Sequence, residues 1–121
     1  MVSKLRAQRI ADRLKEELAE LLVFKISDPR LEGVSVTDVT VDRELAFAEI
    51  YVSAVEGSER SQEVLEAFEH AQGFIRRELS QEVELRTFPR LRFHWDPTYE
   101  RADHIEKLLA SLKKDEDNIG G

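Results

Sequence analysis

The sequence predicts an α+β fold, with helices packed on one face of a three-stranded mixed sheet. Three observations predict it. Apolar residues recur at helical spacing over residues 3–24. Two segments of alternating hydrophobicity follow, at 34–41 and 46–53, and read as a hairpin. Helical periodicity then returns ahead of a third alternating segment near residue 90. The 121 residues are one domain by the usual size range. The expected boundaries are residues 1–114 for the domain and 115–121 for a frayed polar tail.

Each element has its own local reason. In the first helix Ile10, Leu14, Leu18, Leu21 and Leu22 form the apolar stripe, with Leu5 one turn earlier and Ser3 as N-cap. "SDPRLEG" is a loop, marked by Asp-Pro and Gly. There Arg30 either closes its own loop on Asp28 or is free to contact a ligand. In "VSVTDVTV" the apolar phase slips by one residue between Val36 and Val39, so a β-bulge is expected near Thr37–Asp38. "DREL" is the turn. In "AFAEIYVS" Ala46, Ala48, Ile50 and Val52 face one way, and Phe47, Glu49 and Tyr51 the other.

Val64, Leu65, Phe68 and Ala71 carry the next helical stretch, and Phe74, Ile75, Leu79 and Val83 a further one. The apolar positions do not run smoothly through Gly73, which predicts two helices meeting at a kink. "RLRFHWD" is the third strand, with Leu91, Phe93 and Trp95 on its core face and Arg90, Arg92 and His94 on the other. Asp96–Pro97 reads as an N-cap with proline at the first helical position. Ala102, Ile105, Leu108, Leu109 and Leu112 supply the stripe of a last helix. The predicted order is α-β-β-α-kink-α-β-α.

Composition narrows the function. There is no cysteine, which excludes disulfides and cysteine-ligated zinc and fits a reducing compartment. No segment approaches the ~20 apolar residues of a membrane span, and none reads as a signal peptide. A cytoplasmic protein with no membrane partner is expected. The formal net charge of -7 hides a segregation. Residues 1–15 carry Lys4, Arg6, Arg9, Arg13 and Lys15 against Asp12 alone. Residues 44–70 carry seven glutamates against Arg60. Residues 74–93 carry Arg76, Arg77, Arg86, Arg90 and Arg92 against Glu78, Glu82 and Glu84. Such a chain can present a local electropositive face while repelling indiscriminate contact with nucleic acid. His70, His94 and His104 match no metal spacing, and no nucleophile or phosphate-loop signature is present, so an enzyme is not expected.

The predicted order is similar to the type II KH-like fold, an RNA-binding arrangement. Ordinary KH domains carry Gly-x-x-Gly at the turn between two short helices, where it clamps nucleotide backbone. This chain has "AQG", Ala71-Gln72-Gly73, followed by "FIR". Together with the basic first helix, "SDPRL", "VTDVTVDRELAFAEIYVS" and "LRTFPRLRFHWD", that departure resembles the bacterial ribosome-binding factor A family over residues 4 to 112. The resemblance implies a small-subunit assembly factor that binds immature 16S rRNA near the neck and decoding region. It implies help with late maturation, including the 5′ end of that rRNA, and a link to growth in the cold. It implies no cofactor, and a monomer whose partners are 16S rRNA and the free 30S subunit, with ribosomal proteins and other assembly factors as further candidates. The family's Ala-x-Gly maps onto Ala71 and Gly73.

The residues suggest where the RNA would touch. Small side chains at Ala71 and Gly73 let backbone approach a neighbouring helix or a phosphate. A helix beginning there would turn its N–H groups toward the gap, with Arg76 and Arg77 adding fork-shaped donors for phosphate. Arg6, Arg9 and Arg13 share a helix face near Lys4, and only Arg13 has an acid four residues on, Glu17. The candidate RNA contacts are Lys4, Arg6, Arg9, Arg13, Ala71, Gly73, Arg76, Arg77, Arg86, Arg90 and Arg92; simple solvation stands as the alternative for each arginine. Phe47 and Tyr51 could stack on bases, but packing under a helix is the favoured reading. Trp95 is read as core. Two other functions are weighed. A protein-interaction module would work through the acidic face, and a hydrolase or nuclease would need a titratable cluster or a metal.

Overall fold

The structure is a computed structural model that describes residues 1–98 and 105–113. Helix α1 spans Lys4–Phe24 and helix α2 spans Ser61–Glu82. Strands β1, β2 and β3 are Val34–Val41, Phe47–Ala54 and Arg90–Trp95. Short 3₁₀ turns stand at Pro29–Leu31 and Ser58–Arg60. The sheet order is β1-β2-β3, with β1 antiparallel and β3 parallel to the central strand. The mixed sheet and the α+β class are as the sequence predicts.

Helix α1 begins where expected. The Ser3 hydroxyl accepts from the Arg6 N–H at 3.0 Å, and Ala7, Ile10, Ala11, Leu14, Leu18 and Leu21 are buried along one stripe. Leu5 is not part of that stripe and is 60% exposed. The bulge also appears in place: the β1–β2 register shifts between Val36 and Asp38. That extra residue brings Val39 onto the core face opposite Ile50.

The turn into β2 is built by Asp42, whose carboxylate accepts from the N–H groups of Phe47 (2.7 Å), Ala46 (3.2 Å) and Glu44 (3.2 Å). Leu45 takes a left-handed φ of 57° there, and its side chain packs against the core. The hydrogen bond from Phe47, with smaller help from the other amides, holds the Asp42 carboxyl below its ordinary range. A lowered native pKa adds stability that is complete above the unfolded value, about 3.9, and is lost as pH falls through the native one. Asp42→Ala is therefore expected to flatten the acid limb of a stability–pH curve.

One expectation fails at the kink. Helix α2 runs without interruption from Ser61 to Glu82, through Gly73. Its buried positions, Val64, Ala67, Phe68, Ile75 and Leu79, keep one helical stripe, with Ala71 half-buried between them. Phe74 is 37% exposed and stands off that stripe. Counting Phe74 as a core position is what makes the pattern look broken. With no helix starting at Gly73, no N-terminal amides or helix dipole are available there.

Both helices cover one face of the sheet, over Val39, Ala48, Ile50, Val52 and Leu91. Phe68 is fully buried and stacks on Phe93, with ring centres 4.6 Å apart and planes 11° apart. Three strands at about 4.8 Å spacing offer room for roughly two helices of about 10 Å diameter. Residues 105–113 are helical, and Ile105, Leu108, Leu109 and Leu112 of the expected last stripe are each more than half exposed. Ala102 of that stripe, His104, and the tail from 114 onward lie outside the described residues. Trp95 packs partly against the core.

Arg60 pins the loops together. Its guanidinium donates to the carbonyls of Glu32 and Arg30 at 2.8 Å each, and pairs with Glu56 and Glu63. Replacing it by methionine keeps the stem but leaves those two carbonyls without this donor. A loss of about 2 kcal/mol is expected, or roughly 8 °C in melting temperature, read by thermal denaturation.

Candidate nucleic-acid interface

An open groove of about 450 Å³ lies between α2 and the edge strand β3. Gly73 and Arg76 on α2, and Arg90 and Arg92 on β3, line it, with Phe47, Leu91, Glu69 and Gln72. The sequence places these cations in two separate segments; the packing of α2 against β3 unites them, and the parallel β2–β3 pairing adds Phe47 opposite Arg90. The Gln72 side chain donates to the Leu91 carbonyl at 2.7 Å and ties the helix to the strand. That bond lies in the groove lining and has no signature in the sequence.

Gly73 opens the groove, but not by letting helices touch. A Cβ built on it would meet no atom within 4 Å. It therefore keeps a patch of helix backbone bare toward solvent rather than against a neighbour. A mid-helix glycine costs about 1 kcal/mol relative to alanine. Gly73→Ala is expected to raise the melting temperature by roughly 4 °C, read by circular dichroism.

Arg76 donates to the Phe88 carbonyl at 3.0 Å and lies over the Phe88 ring, 5.9 Å from its centre. These contacts hold the guanidinium at the groove wall. Arg90 is exposed, with no ion-pair partner among the described residues. Arg92 lies over the Phe47 ring at 3.8 Å and forms a close ion pair with Glu49. Burial pushes the Glu49 carboxyl up, but hydrogen bonds from His94 and Arg92 outweigh it and hold the group below its ordinary value.

The remaining candidates stand elsewhere. Arg77 and Arg86 are exposed and outside the groove, and Ala71 packs against the core. Lys4, Arg6, Arg9 and Arg13 lie exposed along α1, with Arg13 paired to Glu17 at 3.2 Å. The Val2 amide, bonded to the Arg43 carbonyl at 2.8 Å, ties the start of α1 to the β1–β2 turn that leads into Phe47. Arg30 is bound to Asp28 at 2.8 Å and also approaches His70, so its role is in its own loop. Phe47 and Tyr51 do not pack under a helix. They are half-buried on the face of the sheet opposite α1 and α2, because the alternation along β2 turns Ala48, Ile50 and Val52 inward instead.

The acid collects in a different place. A smaller depression of about 170 Å³ lies between the C-terminal halves of α1 and α2. It is lined by Glu17, Glu20, Glu78 and Glu82, with Phe24 exposed beside Lys25. Lys25 bonds to Glu78 at 3.0 Å, and that contact raises its pKa. Among the described residues, no three His, Asp or Glu side chains come together to hold a metal ion. No helix among them is long and apolar enough to cross a membrane.

The molecule is thus a small α+β domain, with two helices on one face of a three-stranded mixed sheet and arginines gathered along a groove beside its edge strand. The chain belongs to the ribosome-binding factor A family, whose model, described as "Ribosome-binding factor A", matches residues 6–109. It is 41% identical over 118 residues to the ribosome-binding factor A of Clostridium botulinum, covering 97% of this chain and 98% of that one. It is 40% identical over 112 residues to that of Alcanivorax borkumensis, covering 92% and 82%. The crystal structure of ribosome-binding factor A from Thermus thermophilus superposes with a TM-score of 0.66 at 28% identity, covering 74% of this chain and 93% of that one. A Thermus thermophilus homology model, fitted into a cryo-electron microscopy map of a 30S–RbfA complex, gives 0.60 at 30% identity, covering 73% and 91%.

Proposed function

We propose that this protein is a non-catalytic assembly factor that binds immature 16S rRNA of the small ribosomal subunit, at the neck and decoding region, and assists late maturation including the 5′ end. The observation that carries this reading is the groove between α2 and β3. It gathers Arg76, Arg90 and Arg92 beside the bare backbone at Gly73. The relative fitted into a 30S complex supports the same partner. Guanidinium forks on two walls suit the phosphates of a strand lying along the groove. The exposed row Lys4, Arg6 and Arg9 on α1 provides a second electrostatic contact. Binding one rRNA conformation more tightly than the mature one shifts the population toward it, and a competing mature contact then releases the factor. The acidic depression limits non-specific adhesion. The protein acts as a monomer in the cytoplasm, without a cofactor, and supports growth in the cold.

The test is co-sedimentation with immature and mature small subunits across a salt series. Salt-sensitive binding that favours the immature particle is expected, with affinity falling by a log–log slope of roughly 0.7–0.9 per phosphate contact. Absence of binding to either particle overturns the reading.

A further inference from the structure

We propose that the face of the sheet opposite α1 and α2 is a second RNA surface, one that stacks unpaired nucleobases; this rests on the RNA-binding reading above. Parallel pairing sets Phe47 opposite Arg90, Glu49 opposite Arg92 and Tyr51 opposite His94. All six side chains point away from the helices. An open sheet face needs only short polar side chains to stay soluble, but this one presents flat groups in pairs. The Tyr51 and His94 rings stack with centres 5.1 Å apart and planes 28° apart. The Arg92 guanidinium lies over the Phe47 ring. Glu49 holds both upper members, accepting from Arg92 and bonding the His94 Nε2 at 2.5 Å. The His94 and Arg92 side chains remain 42% and 51% exposed.

The result is two platforms, each already held in place: their β3 members, Arg92 and His94, stand one strand repeat apart, about 6.6 Å, and their β2 members, Phe47 and Tyr51, two repeats apart, about 13 Å. Strand aromatics at such positions stack bases in other sheet-based RNA binders, and every base has a face to offer. The face is continuous with the groove, since Phe47, Arg90 and Arg92 belong to both. A single strand whose phosphates follow Arg76 and Arg90 thus meets Arg92 and then His94 as it leaves the groove. That continuity favours single-stranded RNA over a protein segment as the occupant.

The test compares a labelled single-stranded RNA octamer with the same backbone lacking its central bases, by fluorescence anisotropy on the full chain. The stacking variant is Tyr51→Leu/His94→Gln, which keeps bulk and a hydrogen bond toward Glu49 but removes both rings. The wild type is expected to prefer the base-bearing strand by about tenfold or more. Having lost one of the two platforms, the variant should show that preference reduced at least about threefold, while its salt slope stays unchanged, because no phosphate contact has been removed. Its circular dichroism should remain native; should it unfold, Arg92→Lys, which spares both rings, is expected to weaken the preference through loss of the flat guanidinium. Equal binding of both strands by the wild type, or a preference undiminished in the folded variant, overturns the proposal. So does failure to bind either strand, and co-sedimentation with small subunits then still reports on the groove by itself.

Discussion

Arg76→Glu combined with Arg90→Glu is expected to weaken binding to the small subunit by at least about 100-fold while leaving the fold intact. Each guanidinium–phosphate contact is a charge-assisted hydrogen bond of about 1.5–3 kcal/mol, and reversal adds repulsion to its loss. The structural cost is small. Arg90 is exposed and without an ion-pair partner among the described residues, and Arg76 gives up one bond to the Phe88 carbonyl and its place over the Phe88 ring. The remaining binding should also depend less on salt, with the slope reduced in magnitude by about 1.4–1.8 for two phosphates. Arg77→Glu/Arg86→Glu, outside the groove, provides the control. Sedimentation at several salt concentrations, with circular dichroism of each variant, measures both effects.

Phe68→Ala is expected to have the largest effect on stability. Phe68 has no exposed surface, sits at the centre of the α2 stripe, and stacks on Phe93 of β3. Removing a buried phenyl ring costs about 3–5 kcal/mol, through lost transfer energy and the cavity left behind. Against a total of about 5–15 kcal/mol, that is a large share. The melting temperature should fall by roughly 12–20 °C, read by thermal circular dichroism. Because this contact joins α2 to β3, the two groove walls, subunit binding should fail together with the fold. The Arg76/Arg90 variant, by contrast, should lose binding alone.

Most of the fold was legible because its signals are local. The Ser3 cap, the stripe from Ile10 to Leu21, the slip that becomes the bulge at Thr37–Asp38, and the Asp42 turn each depend on neighbours in sequence. The uninterrupted α2 was misread because one apolar residue, Phe74, is exposed. Periodicity cannot distinguish an exposed phenylalanine from a core one. The arginines of the groove were named from the sequence, but their grouping was not. Arg76 and Arg90 meet only through the packing of α2 against β3, which is a tertiary fact. Gln72 carries no motif, and its bond to Leu91 exists only once α2 lies against the edge strand. The open sheet face was expected, but Phe47 and Tyr51 were misread as packing under a helix, for a related reason. A small sheet with two helices already on one side leaves the aromatics of the other without a helix to pack beneath, so alternation alone cannot say which face stays uncovered.

The absence of cysteine, and the empty space around Gly73, make one measurement especially direct. Gly73→Cys places a single thiol in the groove at no steric cost, and an iron chelate attached there cleaves RNA within its reach. Glu20→Cys, at the acidic depression, is the matched control. With both variants bound to immature small subunits, confined cleavage of 16S rRNA is expected from position 73 and little from position 20. Cleavage from position 20 with none from position 73, in variants that bind equally well, would contradict the groove as the RNA-binding surface.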